Sequence, residues 1–208
     1  MLKTVCSTKR HSGSLQDMPT PFSTKPTLHG DLVTLRPFDA SDVSVMAAII
    51  AEPEVGRLTG SYNSTAELGN GVPVVDDELR DWYSSRNEQA DRLDLAVVDN
   101  ASGECVGEVV LNGYDEGSAS CNFRTLFGEN GRDRGLGTEA GKLIVAYGFD
   151  ELGLHRIALE VYAFNPRARR AYEKVGFVHE GTLRDALRFD DEWVDASVMS
   201  MLATDPRP

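Results

Sequence analysis

Residues 129–140 combine glycine, arginine and a helix start in a pattern typical of anion binding. They read Glu-Asn-Gly-Arg-Asp-Arg-Gly-Leu-Gly-Thr-Glu-Ala and join a predicted strand to a predicted helix. Glycine lets the backbone approach a ligand closely, and the free N–H groups of a helix's first turn attract an anion. Arg132 and Arg134 add positive charge. The segment therefore predicts a pyrophosphate cradle, but it has the spacing of neither a Walker loop nor GxGxxG, so neither ATP nor NAD is indicated.

A second group of candidate residues lies in residues 165–177, directly after another predicted strand. Asn165 can cap the helix that follows, or its amide can bond to an amide of a ligand. Tyr172 comes seven residues later, almost two turns on, and so shares a helix face with Asn165. Three arginines near this helix start are either ligand contacts or solvated surface charges: Arg167, Arg169 and Arg170.

The elements that must position these residues follow from hydrophobic periodicity and turn residues. Strands are predicted at 32–36, 94–99, 104–112, 119–127, 156–162, 177–184 and 193–202. Helices are predicted from Asp39 or Ser41 to Ile50 and at 76–89, 134–151 and 165–175, with an irregular segment at 51–75. This order, βααβββαβαββ, predicts an α/β domain with a mixed sheet. Residues 1–28 are expected to form a flexible tail, and residues 29–204 a single domain.

Composition excludes some classes of function. The 208 residues include 21 Lys plus Arg and 33 Asp plus Glu, which gives a formal net charge of −12. Duplex nucleic acid is not expected as the main partner, because phosphate contacts need a cationic surface. No apolar run reaches about 18 residues, so no membrane span is expected, and no signal peptide is indicated.

The cysteines argue against a metal or disulfide framework. Cys6, Cys105 and Cys121 are odd in number and widely spaced, so neither a zinc motif nor paired bridges are indicated. Free thiols are typical of a reducing compartment, and a cytoplasmic location without a bound metal is expected.

Three motifs, taken together, carry a family resemblance. Arg132-x-x-Gly135-x-Gly137 resembles the Q/R-x-x-G-x-G/A acyl-CoA loop of the GNAT N-acetyltransferases, and residues 165–177 resemble that superfamily's following helix and turn. Residues 35–37 and 181–195 are similar to the RimJ/RimL-like branch. The resemblance spans residues 30–204 and implies a GNAT-like mixed, mostly antiparallel central sheet flanked by helices. It also implies that the fourth and fifth predicted strands splay apart.

The resemblance implies an N-acyltransferase that moves an acetyl or other acyl group from acyl-CoA to a primary amine by direct attack. Tyr172 matches the general acid that protonates the leaving thiolate. Asn165 matches the contact to the pantetheine arm, Arg170 a position near the cofactor phosphates, and Thr125, Leu126 and Phe127 the splayed strand that pairs with pantetheine. The loop residues whose backbone would hold the pyrophosphate are Arg132, Asp133, Arg134, Gly135, Leu136, Gly137 and Thr138.

Two residues depart from the family pattern. Asn122 stands where relatives often carry a substrate-facing Glu, and Arg124 stands where they often carry Gly. Arg124 could favour an acceptor or acyl group with a carboxylate or phosphate, or it could reach solvent or pair with an acid. The base that deprotonates the amine is open among Asp94, Glu108 and the acids at 76–78.

Two functions of different kinds remain open from the sequence. One is the enzyme, with a protein amine, a small amine or an amine-bearing antibiotic as acceptor. The other is a catalytically idle acyl-CoA-binding sensor or scaffold. Residues 52–90 are expected to touch the acceptor, and their acids either attract a cation or form a solvated surface: Glu52, Glu54, Glu67, Asp76, Asp77 and Glu78. A homodimer is possible.

Overall fold

The computed structural model, which describes residues 21–68 and 71–207, places eight strands in one sheet. In chain order they are β1 (Leu28–His29), β2 (Val33–Arg36), β3 (Arg92–Asp99), β4 (Cys105–Asp115), β5 (Ser120–Phe127), β6 (Arg156–Tyr162), β7 (Val178–Phe189) and β8 (Glu192–Leu202). Their order across the sheet is β1-β2-β3-β4-β5-β6-β8-β7. Neighbouring strands are antiparallel except β5 and β6, which are parallel. The predicted mixed, mostly antiparallel sheet is therefore confirmed.

Helices cover both faces of this sheet. They are α1 (Asp42–Ala51), α2 (Pro53–Leu58), α3 (Asp77–Ser85), α4 (Leu136–Asp150) and α5 (Pro166–Val175). Successive strand residues point to opposite faces, and the two hydrophobic clusters follow that rule. Leu95 and Val97 pack with α4 and α5, whereas Ala96 between them packs with α1 and α3. Among the described residues, no helix has the length and apolar character needed to cross a lipid bilayer.

Side-chain caps fix several helix ends. The Asp76 carboxylate accepts a hydrogen bond from the Leu79 N–H at 2.9 Å, and Asn165 Oδ1 accepts one from the Ala168 N–H at 3.1 Å. Gly176, with φ +119°, ends α5 in the left-handed region. Asp39 and Ser41 are the two candidates for the start of α1. Ser41 holds the N-cap position without a side-chain cap bond, and the Asp39 carboxylate accepts from the Ser41 N–H.

Helix α2 was not expected in the segment 51–75. Pro53 and Gly56 suggested irregular structure there, but proline is well suited to the first helical position, where its missing N–H costs nothing. This short helix lies beside β5 and β6, where its residues Val55 and Leu58 line a cavity.

Strands β5 and β6 are hydrogen-bonded over three residue pairs only. Ser120, Cys121 and Asn122 pair with Arg156, Ile157 and Ala158. Beyond that point the two strands diverge, although β5 stays paired with β4 as far as Phe127. With the extra strand β1 counted, β5 and β6 are the predicted fourth and fifth strands, so the expected splay is confirmed.

The described start of the chain belongs to the domain. Phe22 is fully buried and meets Tyr114 edge-on, with ring centroids 5.6 Å apart. The Lys25 ammonium donates to the carbonyl oxygens of Phe22, Gln89 and Arg92. The expectation of a tail to residue 28 is therefore wrong for residues 21–28, while residues 1–20 lie outside the described part.

Truncating Phe22 tests this boundary. Because its ring is fully buried, we expect Phe22→Ala to lower the free energy of unfolding by about 3–5 kcal/mol, measured by urea denaturation. Val74→Ala, at a residue that is 65 % exposed, is the control and should change stability by less than about 0.5 kcal/mol. Equal effects of the two substitutions would show that residues 21–28 do not contribute to the core.

Candidate active site

The divergence of β5 from β6 creates a cavity of about 400 Å³. Its walls come from β5, β6, the loop before α4, the start of α5 and the end of α2. Most of the residues singled out from the sequence line this one space: Arg124, Thr125, Leu126, Phe127, Arg132, Asp133, Gly135, Gly137, Thr138, Asn165, Arg170 and Tyr172. Segments far apart in the chain thus converge on one cavity.

Three of the residues matched to cofactor or substrate contacts do not line the cavity. Leu136 is buried in the core, 2 % exposed. The Arg134 guanidinium turns to the Asp99 carboxylate, with Nη1 and Oδ2 2.8 Å apart. Asn122 lies in the last residue pair before the splay and points toward Gly113. The Asn122 side chain therefore lies outside the cavity, and for Arg134 and Leu136 only the backbone is placed to contact a ligand of the loop.

The loop before α4 has the backbone shape of an anion site. Asp133 and Gly135 have positive φ, +58° and +82°, and Gly135 is the N-cap of α4. From Asp133 to Gly137, the backbone N–H groups bond to no described residue, whereas Thr138 N–H bonds back to Gly135. Successive free N–H groups in such a turn form a concave nest that binds an anion, and the helix dipole adds to the attraction. The loop therefore fits the pyrophosphate of an acyl-CoA.

Ion pairs hold this loop against α2. The Arg132 guanidinium contacts Glu52 at 2.6 Å and Glu54 at 2.8 Å, and its Nε donates to the Phe127 carbonyl oxygen at 3.0 Å. Arg167 also contacts Glu54, at 3.1 Å. The expectation that Arg132 adds free positive charge is wrong. Glu52 and Glu54 are therefore bonded to arginines of the loop and α5, although the Glu54 side chain is still 54 % exposed.

Arg170 is the exception among the five arginines at the two helix starts. Arg132, Arg134, Arg167 and Arg169 each have an acidic partner. Arg170 lines the cavity and has no ion-pair or hydrogen-bond partner in residues 21–68 and 71–207. Its charge is therefore available to a ligand phosphate.

Tyr172 stands at the gap between the splayed strands. Its hydroxyl oxygen lies 3.1 Å from Thr125 Oγ1, and its ring meets Phe123 and Phe177 edge-on. Burial raises the pKa of the Tyr172 phenol, and the hydrogen bond with Thr125 and the charge of Arg124 oppose that rise. The phenol therefore keeps its proton near neutral pH and can donate it within the cavity.

The candidate bases differ in their surroundings. Asp94 is bonded to Arg92 through both carboxylate oxygens, at 2.6 and 2.7 Å, and Asp76 is a helix cap. Burial, aided by the charge of Asp94, raises the pKa of Glu108 to about 7. None of these acids lines the cavity.

The structure adds lining residues that sequence reasoning missed. Glu160 on β6 is one of them, and the alternation of polar and apolar residues over 156–162 was a usable signal for it. Lys174 on α5 and Val55 on α2 also line the cavity. Nothing in the sequence indicated Val55, because α2 itself was missed.

Comparison with known families assigns the chain. Residues 33–178, which contain the loop, the splayed strands and α5, match the model of the acetyltransferase (GNAT) domain. This chain belongs to the GNAT acetyltransferase family. The prediction of an acyl-CoA-dependent N-acetyltransferase that acylates an amine is thereby confirmed.

Curated relatives and solved structures agree with this assignment. The chain is 24 % identical to the uncharacterized N-acetyltransferase p20 of Bacillus licheniformis over 178 residues, which covers 85 % of this chain and 96 % of that protein. It is 29 % identical to the spermidine N(1)-acetyltransferase of Vibrio cholerae over 127 residues, covering 61 % of this chain and 72 % of that enzyme.

Among solved structures, a GNAT-family acetyltransferase from Bacillus anthracis superposes on this chain with a TM-score of 0.71 and 21 % sequence identity. The superposition covers 86 % of this chain and 100 % of that protein's chain. The Vibrio cholerae spermidine N-acetyltransferase in complex with CoA and spermine superposes with a TM-score of 0.72 at 22 % identity, covering 85 % and 98 % of the two chains. These likenesses confirm the GNAT-like fold.

The raised pKa of Glu108 makes a prediction about stability. The folded protein keeps a proton on Glu108 that the unfolded chain releases between about pH 4.5 and 7, so this residue's contribution to stability falls as the pH rises through that window. In Glu108→Gln the ionisation is absent. We expect the stability of the variant relative to wild type to rise by about 3 kcal/mol at most across this range.

Urea denaturation at several pH values measures this difference. Glu104→Gln, at an exposed residue four positions earlier in the chain, is the matched control and should show no such pH dependence. A difference between Glu108→Gln and wild type that does not vary with pH would contradict the burial of this carboxyl.

Proposed function

We propose that this GNAT enzyme acetylates a small-molecule primary amine, with Tyr172 as the general acid and the loop before α4 as the pyrophosphate site. The observation that supports it most is the Tyr172 hydroxyl, bonded to Thr125 at 3.1 Å on the part of β5 that lies beyond its last pair with β6. Relatives named spermidine acetyltransferases support a small-molecule acceptor.

The loop and Arg170 are assigned to the phosphates. The free N–H groups from Asp133 to Gly137 receive the pyrophosphate, and the unpaired Arg170 supplies a compensating cation from α5. Arg132 is assigned to positioning, since its guanidinium is bonded to Glu52 and Glu54 and so holds the loop against α2.

The unpaired edge of β5 is assigned to the pantetheine arm. Thr125, Leu126 and Phe127 lie beyond the last β5–β6 pair, so their backbone groups on that side are open to the amides of an extended ligand. Asn165 serves α5 as its cap through Oδ1, which leaves its Nδ2 group to donate to the same arm.

Tyr172 is assigned to the proton that the leaving group needs. Acyl-CoA supplies an activated thioester, and its thiolate leaves more readily when a nearby donor protonates it. Burial raises the pKa of Tyr172, so the phenol is protonated at neutral pH and donates from the α5 side of the gap. Thr125 Oγ1 orients the hydroxyl.

Other finer assignments rest on sequence. Residues 35–37 and 181–195 support the RimJ/RimL-like branch. The free, buried thiols of Cys105 and Cys121 support a cytoplasmic location. A homodimer stays a prediction.

The decisive experiment for the function is release of free thiol from acetyl-CoA in the presence of a panel of small amines. Acetyl-CoA binding with thiol release would support the enzyme. Acetyl-CoA binding without thiol release for any amine would favour the idle sensor or scaffold instead.

Removing the Tyr172 hydroxyl tests the general acid. We expect Tyr172→Phe to lower kcat by about 10²-fold or more, under conditions where chemistry limits the rate, with little change in the Kd for acetyl-CoA. Thr125→Val serves as a comparison because it removes only the orienting partner, and its loss of kcat should be smaller. Equal kcat in Tyr172→Phe and wild type would remove Tyr172 from this role.

Two adjacent arginines test the phosphate assignment. Arg170→Gln should raise the Kd for CoA about tenfold, because a charge-assisted contact to phosphate is lost. Arg169→Gln removes the same charge from the next position, where the guanidinium is bonded to Glu173 and lies outside the cavity. Calorimetric titration with CoA should therefore show little change for Arg169→Gln, and equal effects of the two variants would contradict the assignment.

A further inference from the structure

Arg124 on β5 and Glu160 on β6 border the gap from its two sides, on the face of the sheet opposite Tyr172. Strand alternation fixes this: Phe123 packs against Tyr172, so Arg124 points to the face that carries α1 and α3. On β6, Leu159 and Val161 belong to the core beneath α4 and α5, so Glu160 between them points the same way as Arg124. Both side chains line the cavity and both residues are exposed.

The Arg124 guanidinium has no ion pair or hydrogen bond with any described residue. The carboxyl nearest by register is Glu108, whose strand partner is Leu126, so it is a diagonal neighbour of Arg124 on the same face. No ion-pair contact joins Arg124 to Glu108 or to Glu160. Arg124 and Tyr172 line the same cavity, and the positive charge of Arg124 opposes the rise that burial causes in the pKa of Tyr172 and of Glu108.

An unpaired arginine beside the reacting position selects the charge of the acceptor. The guanidinium fork matches a carboxylate with two parallel hydrogen bonds, and it repels a second cation. A polyamine, whose remaining amines are cationic, would bring like charge next to Arg124. Glu160 on the other wall offers the opposite charge, which suits the ammonium end of a molecule that carries both groups.

We propose that the acceptor is a small primary amine that also carries a carboxylate, with Arg124 as the residue that binds that carboxylate. This inference rests on the proposed function and adds the chemical class of the acceptor. It assigns Arg124 to specificity, because the group touches the acceptor and takes no part in the proton transfer given to Tyr172.

The test compares acceptors that differ in this one group. With saturating acetyl-CoA, kcat/KM is measured for 4-aminobutyrate against putrescine, and for phenylalanine against phenethylamine. We expect wild type to prefer the carboxylated member of at least one pair by about tenfold or more. Arg124→Gln should abolish that preference, leave the Kd for CoA unchanged and retain the wild-type melting temperature.

Arg184→Gln is the matched control. Arg184 is an exposed residue of β7 that does not line the cavity, so this variant should keep the wild-type preference. Equal use of the two members of both pairs by wild type, or an unchanged preference in Arg124→Gln, would overturn the proposal.

A binding experiment separates this inference from the proposed function. Calorimetry measures the affinity of each carboxylated amine for enzyme saturated with CoA, without any turnover. Binding that Arg124→Gln weakens about tenfold supports the carboxylate site even if no amine is acetylated, which would count against the proposed function alone. Binding that does not depend on Arg124, or no binding at all, overturns the carboxylate site.

Discussion

The end of pairing between β5 and β6 is the constraint on which the rest of the structure depends. After Asn122 and Ala158 the two strands diverge, and β5 remains bonded to β4 alone. Backbone N–H and C=O groups need hydrogen-bond partners. Where β5 has no neighbouring strand, those partners must come from solvent or from a ligand. The loop before α4, the start of α5 and the end of α2 all converge on this opening.

Most of the arginines around the opening are paired with acidic side chains, so they do not form a patch of free positive charge. The chain is acidic overall, with a formal net charge of −12, and its acids neutralise most arginines of the two helix starts. Glu52 and Glu54 use Arg132 and Arg167 to join α2, the loop and α5 into one wall. Arg170, which is unpaired among the described residues, can bind a ligand phosphate. The paired arginines instead hold the loop, α2 and α5 together.

Sequence patterns predicted the parts of the site whose roles are set locally. These parts are the glycine-containing loop, the Asn165 cap and the position of Tyr172 on α5, each of which depends on a few neighbouring residues. The pairing of Arg132 with Glu52 joins residues 80 positions apart and has no local signature. Phe22 likewise fills a core that the rest of the chain builds, so its isolated position among polar residues was misleading.

Residues 122 and 124 show where sequence alone could not decide. Both residues point to the same face of β5 and both depart from the family pattern. Strand alternation therefore predicts the same surroundings for the two side chains. Asn122 is still within the paired stretch, whereas Arg124 is past it and lines the cavity. Only the register between two strands that are distant in sequence distinguishes them.

The two faces of the sheet therefore carry different groups of residues at the opening. Tyr172, Thr125 and the packing of Phe123 lie on the side of α4 and α5, together with the loop proposed for the pyrophosphate. Arg124 and Glu160 lie on the side of α1 and α3. In the proposed mechanism, a thioester in the gap has Tyr172 as proton donor on one side and the acceptor on the other. Under these proposals, a substitution on the face that carries Arg124 can change which amine is used without altering the loop proposed to hold the acyl-CoA.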